Sequence, residues 1–507
     1  MPSKVLSAAV IGLDCEIVEV EADISNGLPK TAIVGLPDVA VQESRDRVKS
    51  AIKNSGYFYP TNSVTVNLAP ADLKKEGPAY DLPIALGILK ASDQLDFLES
   101  DKLFVGELAL DGSLRHINGI LSVATMAREK GLKDLFVPEV NAKEASLIPD
   151  VNIYPVKNLA QLVKYFKNKL QIEPYISDGM VDLPEEEILS KYDMTHVKGQ
   201  EHAKRALEIA AAGGHNILMS GPPGSGKTLL ARTLATILPK LSTDEALEAT
   251  KIYSIAGLLP SDQPMIVRRP FRAPHHTSSG VSLVGGGAYP RPGEISLAHR
   301  GVLFLDELPE FDRRVLENLR QPLEDHIIQI SRAQQTLSFP AKFTLVASMN
   351  PCPCGYYMCP EQECRCTPVE IARYQKKISG PLLDRIDIHT EVPKVKYEKL
   401  TDDSMGEHSG KVRERVQAAR EIQITRFKEI KLTANSEMGN QEIKKYCQID
   451  EKSQDLMRSA VNQMNLSARA YFRLLKLART IADLDNKPNI LTSHIAEALQ
   501  YRPKGEI

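Results

Sequence analysis

Apolar and polar residues alternate with a period of two along Ile17-Val18-Glu19-Val20-Glu21-Ala22-Asp23-Ile24, the pattern of a strand with one buried and one wet face. The apolar run Val5 to Leu13 precedes it, so the two read as a first β-hairpin. Val39 to Asn54 and Leu82 to Ala91 read as helices, and this mixture predicts a compact α+β domain at the amino terminus. From Pro174 to Asp193 the chain turns acidic and loses periodicity, as in Asp182-Leu183-Pro184-Glu185-Glu186-Glu187, which predicts a linker. Strand and helix patterns then alternate to residue 395, implying a parallel sheet with crossover helices, and a mainly helical stretch follows Pro393. The expected division is a domain over 1–173, a linker over 174–195, an α/β core over 196–395 and a helical domain over 396–507.

The length of 507 residues suits about three folded units. Lys and Arg number 63 against 65 Asp and Glu, a net charge of −2, so any polyanion site must be local. Seven cysteines are present, but five lie between Cys352 and Cys366, a cluster and not a disulfide framework, which points to a reducing compartment. The apolar run after Lys4 enters Asp14, Cys15 and Glu16 without a cleavage signal, and no run approaches membrane-spanning length. A soluble cytoplasmic protein is the expectation.

The chemistry concentrates in the middle of the chain. Asn216-Ile217-Leu218-Met219-Ser220 reads as a short buried strand leading into Gly221-Pro222-Pro223-Gly224-Ser225-Gly226-Lys227-Thr228, the GxxxxGKT pattern with a helix after it. Such glycines let backbone N–H groups close around phosphate oxygens, Lys227 reaches the β and γ phosphates, and Thr228 ligates magnesium. A second strand, Val302-Leu303-Phe304-Leu305, ends in Asp306-Glu307, where Asp306 suits the magnesium shell and Glu307 the polarisation of an attacking water. A third, Phe343-Thr344-Leu345-Val346-Ala347-Ser348-Met349, delivers Asn350, whose amide either orients that water or simply opens the turn at Pro351.

With Val197-Lys198-Gly199-Gln200 and Leu382-Leu383-Asp384-Arg385-Ile386-Asp387, these motifs resemble an AAA+ module of the magnesium-chelatase and MCM-helicase branch. The resemblance implies ATP and Mg2+ as cofactors. It makes Arg385 the finger inserted into a neighbouring subunit's site and Arg469, in Leu466-Ser467-Ala468-Arg469-Ala470-Tyr471-Phe472-Arg473, the second nucleotide sensor on a helical lid. Arg469, Arg473 and Lys476 share one polar helix face, and for Lys476 a solvated position is the expectation.

At the amino terminus, Lys75-Glu76-Gly77-Pro78-Ala79-Tyr80-Asp81 and Ile117-Asn118-Gly119-Ile120-Leu121 resemble the two active-site segments of the Lon protease domain, a ribosomal S5 domain 2-like fold. That family's nucleophilic Ser and activating Lys correspond to Ala79 and Leu121, neither of which can attack or accept a proton, so peptidase chemistry is not expected. A dead Lon-like domain, a chelatase-type core and a helical lid together resemble the ComM/YifB family. Phe271-Arg272-Ala273-Pro274-His275-His276-Thr277, Gly285-Gly286-Gly287, Pro290-Arg291-Pro292-Gly293-Glu294-Ile295 and Met349-Asn350-Pro351-Cys352-Pro353-Cys354-Gly355 fit it too. The resemblance implies a homo-hexameric ring that migrates branched DNA during integration of incoming DNA.

The interval between Thr228 and Asp306 is long, and its Gly- and Ser-rich part from His275 to Gly287 suits a mobile pore loop. His275 and His276 read as loop residues. Ile327 to Phe339 reads as a hairpin whose tip offers Arg332 to a strand's phosphates, or to solvent. Cys352, Cys354, Cys359, Cys364 and Cys366 contain enough thiolates for a structural zinc, though their spacing does not say which four would bind. The leading expectation is a DNA-remodelling ATPase; a chelatase-type or protein-remodelling motor is the alternative.

Overall fold

A computed structural model of the chain describes residues 2–176, 192–260, 263–287, 291–331, 336–360, 362–395, 399, 406–430, 432–464 and 466–502. Arg332 and most of the expected linker lie outside the described residues. Two compact units emerge. One comprises Met1–Asp182 with Ala246–Ile266, the other Leu183–Glu245 with Val267–Ile507. The first unit thus includes a stretch that the sequence division puts in the core.

In the first unit β1 (Ser3–Ile11) and β2 (Asp14–Ser25) form the expected hairpin, and β3 (Lys30–Val34) and β4 (Ser63–Ala69) complete a sheet ordered β1-β2-β4-β3. Alternation along β2 buries Val18, Val20 and Ala22. Helix Val39–Asn54 starts where Asp38 accepts from the Val41 N–H at 2.7 Å, and it buries Val41, Ser44, Val48, Ala51 and Ile52 on one stripe. A second sheet of β5 (Lys102–Phe104), β6 (Asp134–Pro138) and β7 (Asn152–Val156) is parallel.

The second unit is built on a five-stranded parallel sheet of β8 (Ile217–Ser220), β9 (Phe271–Arg272), β10 (Val302–Leu305), β11 (Thr344–Met349) and β12 (Ile388–Glu391), ordered β9-β10-β11-β8-β12. Successive residues feed two different cores. Ile217, Met219, Val302, Phe304 and Val346 join the core shared with the helical lid, while Leu218, Leu303, Leu305, Leu345 and Ala347 join the core on the other face. A sheet covered on both sides needs apolar residues at every position, which is why these strands read as unbroken apolar runs.

The lid comprises helices Ser409–Phe427, Asn440–Tyr446, Glu451–Gln463, Ala468–Leu484 and Thr492–Gln500. Buried polar bonds fasten it to the sheet layer. Arg420 donates to the carbonyls of Ala211 and Ala212 at 3.0 and 3.1 Å; within the lid, Asp483 takes both Arg426 at 2.8 Å and Arg479 at 3.1 Å. Helix Ala468–Leu484 puts Leu474, Leu475, Ala478 and Ile481 into the shared core. Lys476 is a correction to the sequence reading. It is half-buried, donates to the Ser436 carbonyl at 2.8 Å, and burial pulls its ammonium below the ordinary lysine value.

Candidate nucleotide site

Three neighbouring strands deliver the chemistry at their carboxyl ends. After β8 the chain turns tightly through Gly221–Gly226, because Gly224 and Gly226 adopt φ of 74° and 87° and a Cβ on Gly221 would stand 2.2 Å from the Val392 carbonyl oxygen. Helix Lys227–Ile237 starts at Gly226 with no side-chain cap, so its first N–H groups remain available to phosphate oxygens. Lys227 donates to the carbonyls of Gly221 at 2.7 Å and Pro222 at 2.9 Å and to Asn350 Oδ1 at 3.2 Å, which brings the ends of β8 and β11 to one ammonium. Burial lowers its pKa, while Asp306 and Glu307 oppose that shift.

Asp306, at the end of β10, accepts from Thr228 Oγ1 at 2.9 Å and from Ser348 Oγ. Hydroxyl and carboxylate oxygens side by side at a glycine-rich phosphate turn are the hard donor set that magnesium takes alongside nucleotide phosphates. Glu307 adopts the left-handed region at φ 51°, its N–H donates to Ser348 Oγ at 3.1 Å, and its carboxylate is half exposed. A non-glycine residue held in this region stores backbone strain of about 1 to 3 kcal/mol, which the surrounding structure must maintain. Gln200 completes the floor, donating to the carbonyls of Ser225 at 2.6 Å and Pro393 at 3.0 Å.

Arg385 and Arg469 stand elsewhere. Arg385 precedes β12, which runs parallel to β8 with Ile388 opposite Ile217, and its carbonyl accepts from Asn216 at 3.1 Å. It therefore sits at the amino-terminal edge of strands whose carboxyl ends carry Lys227; four residues at roughly 3.3 Å each separate the two edges. Its guanidinium is buried, donates to the Pro381 carbonyl at 2.7 Å and binds Glu324, and neither Asp384 nor Asp387 is its partner. Arg469 is exposed and reaches the same Glu324 carboxylate at 3.7 Å. Two arginines from different elements thus converge on one carboxylate, which they hold below the ordinary glutamate pKa. Arg473 lies 3.6 Å from Asp387, whose own pKa is depressed by His215 and by the cations Arg473 and Lys476 against its burial.

Sequence reasoning missed Ser348, Glu324 and His276. His276 lies 3.9 Å from Glu307 and stacks on His275 at 4.1 Å, so the expected loop reaches the half-exposed carboxylate. Ser348 carried a signal, being a hydroxyl near the carboxyl end of a mostly apolar strand, two residues before Asn350. A cavity of about 370 Å3 at the amino-terminal strand edge is lined by Arg269, Arg300, Lys342 and Arg385. Its charges are mostly matched internally: Glu245 takes Arg269 at 2.8 Å and Arg300 at 3.2 Å, and Glu437 takes Lys342 at 2.7 Å. We read it as an ion-paired joint between sheet and lid, away from the phosphate turn.

A strand–turn–helix phosphate loop, acidic strand end and helical lid on a β9-β10-β11-β8-β12 parallel sheet define an AAA+ ATPase of the magnesium-chelatase type. The model for magnesium chelatase, subunit ChlI matches residues 193–400, that for subunit ChlI of Mg-chelatase residues 20–141, and that for the ChlI C-terminal region residues 406–502. Competence protein ComM of Haemophilus influenzae is 46% identical over 503 residues, 98% of this chain and 97% of that protein. Uncharacterized protein YifB of Escherichia coli is 45% identical over 503 residues, 99% and 97% of the two chains, and uncharacterized protein Rv2897c of Mycobacterium tuberculosis is 40% identical over 99% of each. The chain belongs to the ComM/YifB family of magnesium-chelatase-like proteins. Its class takes ATP and Mg2+. None of the described helices is long and apolar enough to cross a membrane.

Proposed function

We propose that this protein is an ATP-driven homo-oligomeric ring, a hexamer, that moves single-stranded or branched DNA in the cytoplasm and supports integration of incoming DNA during natural transformation. The observation that carries the reading is the placement of Arg385 and Arg469 together, at the sheet edge opposite Lys227. On this reading a subunit binds nucleotide with Gly221, Pro222, Pro223, Gly224, Ser225, Gly226 and Lys227 and holds magnesium through Thr228 and Asp306. Glu307 polarises water that Asn350 orients, and the neighbour's Arg385 and Arg469 bring positive charge to the γ phosphate. Hydrolysis completed between subunits couples each ATP to motion of one subunit against the next. The output on DNA rests on full-length similarity to a protein named for competence.

The test is the ATPase rate of the full chain with and without forked and single-stranded DNA, alongside strand displacement. Stimulation of at least several-fold, falling as salt rises, is the expected result. A rate indifferent to DNA together with the absence of salt-sensitive DNA binding would sink the DNA reading and favour a chelatase-type or protein-remodelling motor.

A further inference from the structure

The turn that follows Asn350 gathers four of the five clustered cysteines. The sulfur atoms of Cys352, Cys354, Cys364 and Cys366 all lie within 4.8 Å of one another. Three separations are 3.4 Å for Cys352–Cys354, 3.7 Å for Cys352–Cys364 and 3.6 Å for Cys354–Cys364. A disulfide needs about 2.05 Å, so these are not bridges, and all the thiols are free. Four ligands at a tetrahedral Zn–S distance of about 2.3 Å stand about 3.8 Å apart, close to the spacing seen here. An iron–sulfur cluster would interpose several metal and sulfide atoms and spread the thiolates further.

The surroundings also suit thiolates. Backbone N–H groups point at two of the sulfurs, from Tyr357 to Cys352 at 3.3 Å and from Cys354 to Cys366 at 3.4 Å. Such donors stabilise negative sulfur and orient a ligand. The fifth thiol, Cys359, takes no part in the cluster; its N–H instead closes a turn on the Tyr356 carbonyl at 3.0 Å. The ambiguity left by the spacing is therefore resolved by geometry.

We propose that Cys352, Cys354, Cys364 and Cys366 bind one zinc ion, and that this ion clamps the turn after Asn350 against the phosphate loop. Binding converts four thiols to thiolates and releases their protons to solvent. The clamp follows from Gly355, which adopts φ 86° between the ligands; a Cβ there would stand 2.5 Å from Pro223 Cδ. The cysteine turn and the phosphate loop are thus in direct contact. Gln375 holds the other side of the turn through the Pro351 carbonyl at 3.2 Å. Without the ion four free thiols would have to maintain this packing, and Asn350 would lose a fixed position relative to Lys227. The metal assignment stands independently of what the motor acts on; the clamp rests on the nucleotide-site reading.

Elemental analysis of the full chain, purified without chelators and supplied with zinc sulfate, tests the assignment. About one zinc per chain is expected for the unaltered protein and for Cys359→Ser, and a several-fold loss for Cys364→Ser and Cys366→Ser. Cobalt(II) exchanged into the unaltered protein should show the intense visible bands of a tetrahedral thiolate site, which guards against misfolding of the variants. Less than half an equivalent of zinc in the unaltered protein, iron in place of zinc, or equal loss in Cys359→Ser would overturn the assignment. For the clamp, mercurial release of zinc should weaken binding of a fluorescent ATP analogue at least several-fold. Unchanged affinity after complete release would remove the clamp and leave the metal site standing.

Discussion

Two regions of this chain resemble enzyme active sites, and the structure treats them in opposite ways. Around Lys227 polar groups are held apart from the core: Thr228 and Glu307 are exposed, and a turn of glycines keeps N–H groups free. Around Ala79 and Leu121 the chain is a core. Leu121 is 1% exposed within a cluster of Ile117, Ile120, Val123 and Ala124, and Ala79 packs against that same cluster. Glu144, a carboxyl beside Leu121, is buried and spends one oxygen on the Leu121 N–H at 3.3 Å and on the Ser254 hydroxyl at 2.5 Å. A fold survives when its site is filled with apolar side chains, because burial holds it together; a site survives only where polar groups are kept available.

The largest effect expected from breaking one side of this comparison is at Arg385. Arg385→Ala should lower the ATPase rate by roughly 10³- to 10⁵-fold, the range for fingers in NTPases. Arg385→Lys, which keeps a charge at the Glu324 position, separates loss of the finger from loss of folding. Mixing Arg385→Ala subunits with Lys227→Ala subunits should restore activity above either alone, since one kind supplies intact loops and the other intact fingers. A mixture that never exceeds its components would remove the trans role.

Next comes an attempt to refill the other side. Ala79→Ser with Leu121→Lys restores the residue types of a Ser–Lys dyad, yet it puts an ammonium into an apolar cluster. The double variant should lose about 3 to 5 kcal/mol of stability in denaturant unfolding and cleave no casein. Peptidase activity at unchanged stability would show the two regions to be less different than their packing implies.

Glu144 gives a gentler probe of the same region. Burial raises its pKa to about 7, despite bonds from Ser254, Leu121 and Asn141 that pull the other way. In the unfolded chain its pKa is near 4.3, so its contribution is complete below about pH 4 and is lost as pH rises through 7. The full loss is about 4 kcal/mol. Glu144→Gln should flatten that fall, measured as the difference in unfolding free energy between pH 5 and 8. Equal slopes in both proteins would mean that Glu144 is ionised when folded. The bond to Ser254 matters here because Ala246–Ile266 belongs to the same compact unit as Glu144.

What was legible in the sequence was what neighbours along the chain decide. The hairpin of β1 and β2, helix Val39–Asn54 and the strand–turn–helix at Lys227 follow from periodicity, caps and glycines within a few residues. What was not legible depends on residues distant in sequence. The carboxylate under Arg385 and Arg469 is Glu324, 61 residues from the first, and nothing local marks it. The apparent solvent face of helix Ala468–Leu484 is covered at Lys476 by the Ser436 carbonyl, so a helical wheel misplaces it. Four cysteines were separable from the fifth only once the turn was folded.

The smallest effect expected lies at helix caps, and it sharpens the contrast between buried and wet polar groups. Asp38 is nearly buried; its carboxylate accepts from the Val41 N–H at 2.7 Å and from the Gly77 N–H at 3.2 Å, tying helix Val39–Asn54 to the segment that leads into Ala79. Removing it strands two donors that water reaches poorly, so Asp38→Ala should cost about 1 to 2 kcal/mol in denaturant unfolding. Asp450 caps helix Glu451–Gln463 through one bond, to the Ser453 N–H at 2.9 Å, on an exposed surface where water replaces it. Asp450→Ala should therefore cost less than Asp38→Ala. Asp38→Asn should recover much of the loss, because its amide oxygen can still accept from Val41 while the second bond is weakened. If the two alanine variants were equally destabilised, burial would not be what separates the caps, and the larger contrast between a packed dead site and an open live one would lose its simplest support.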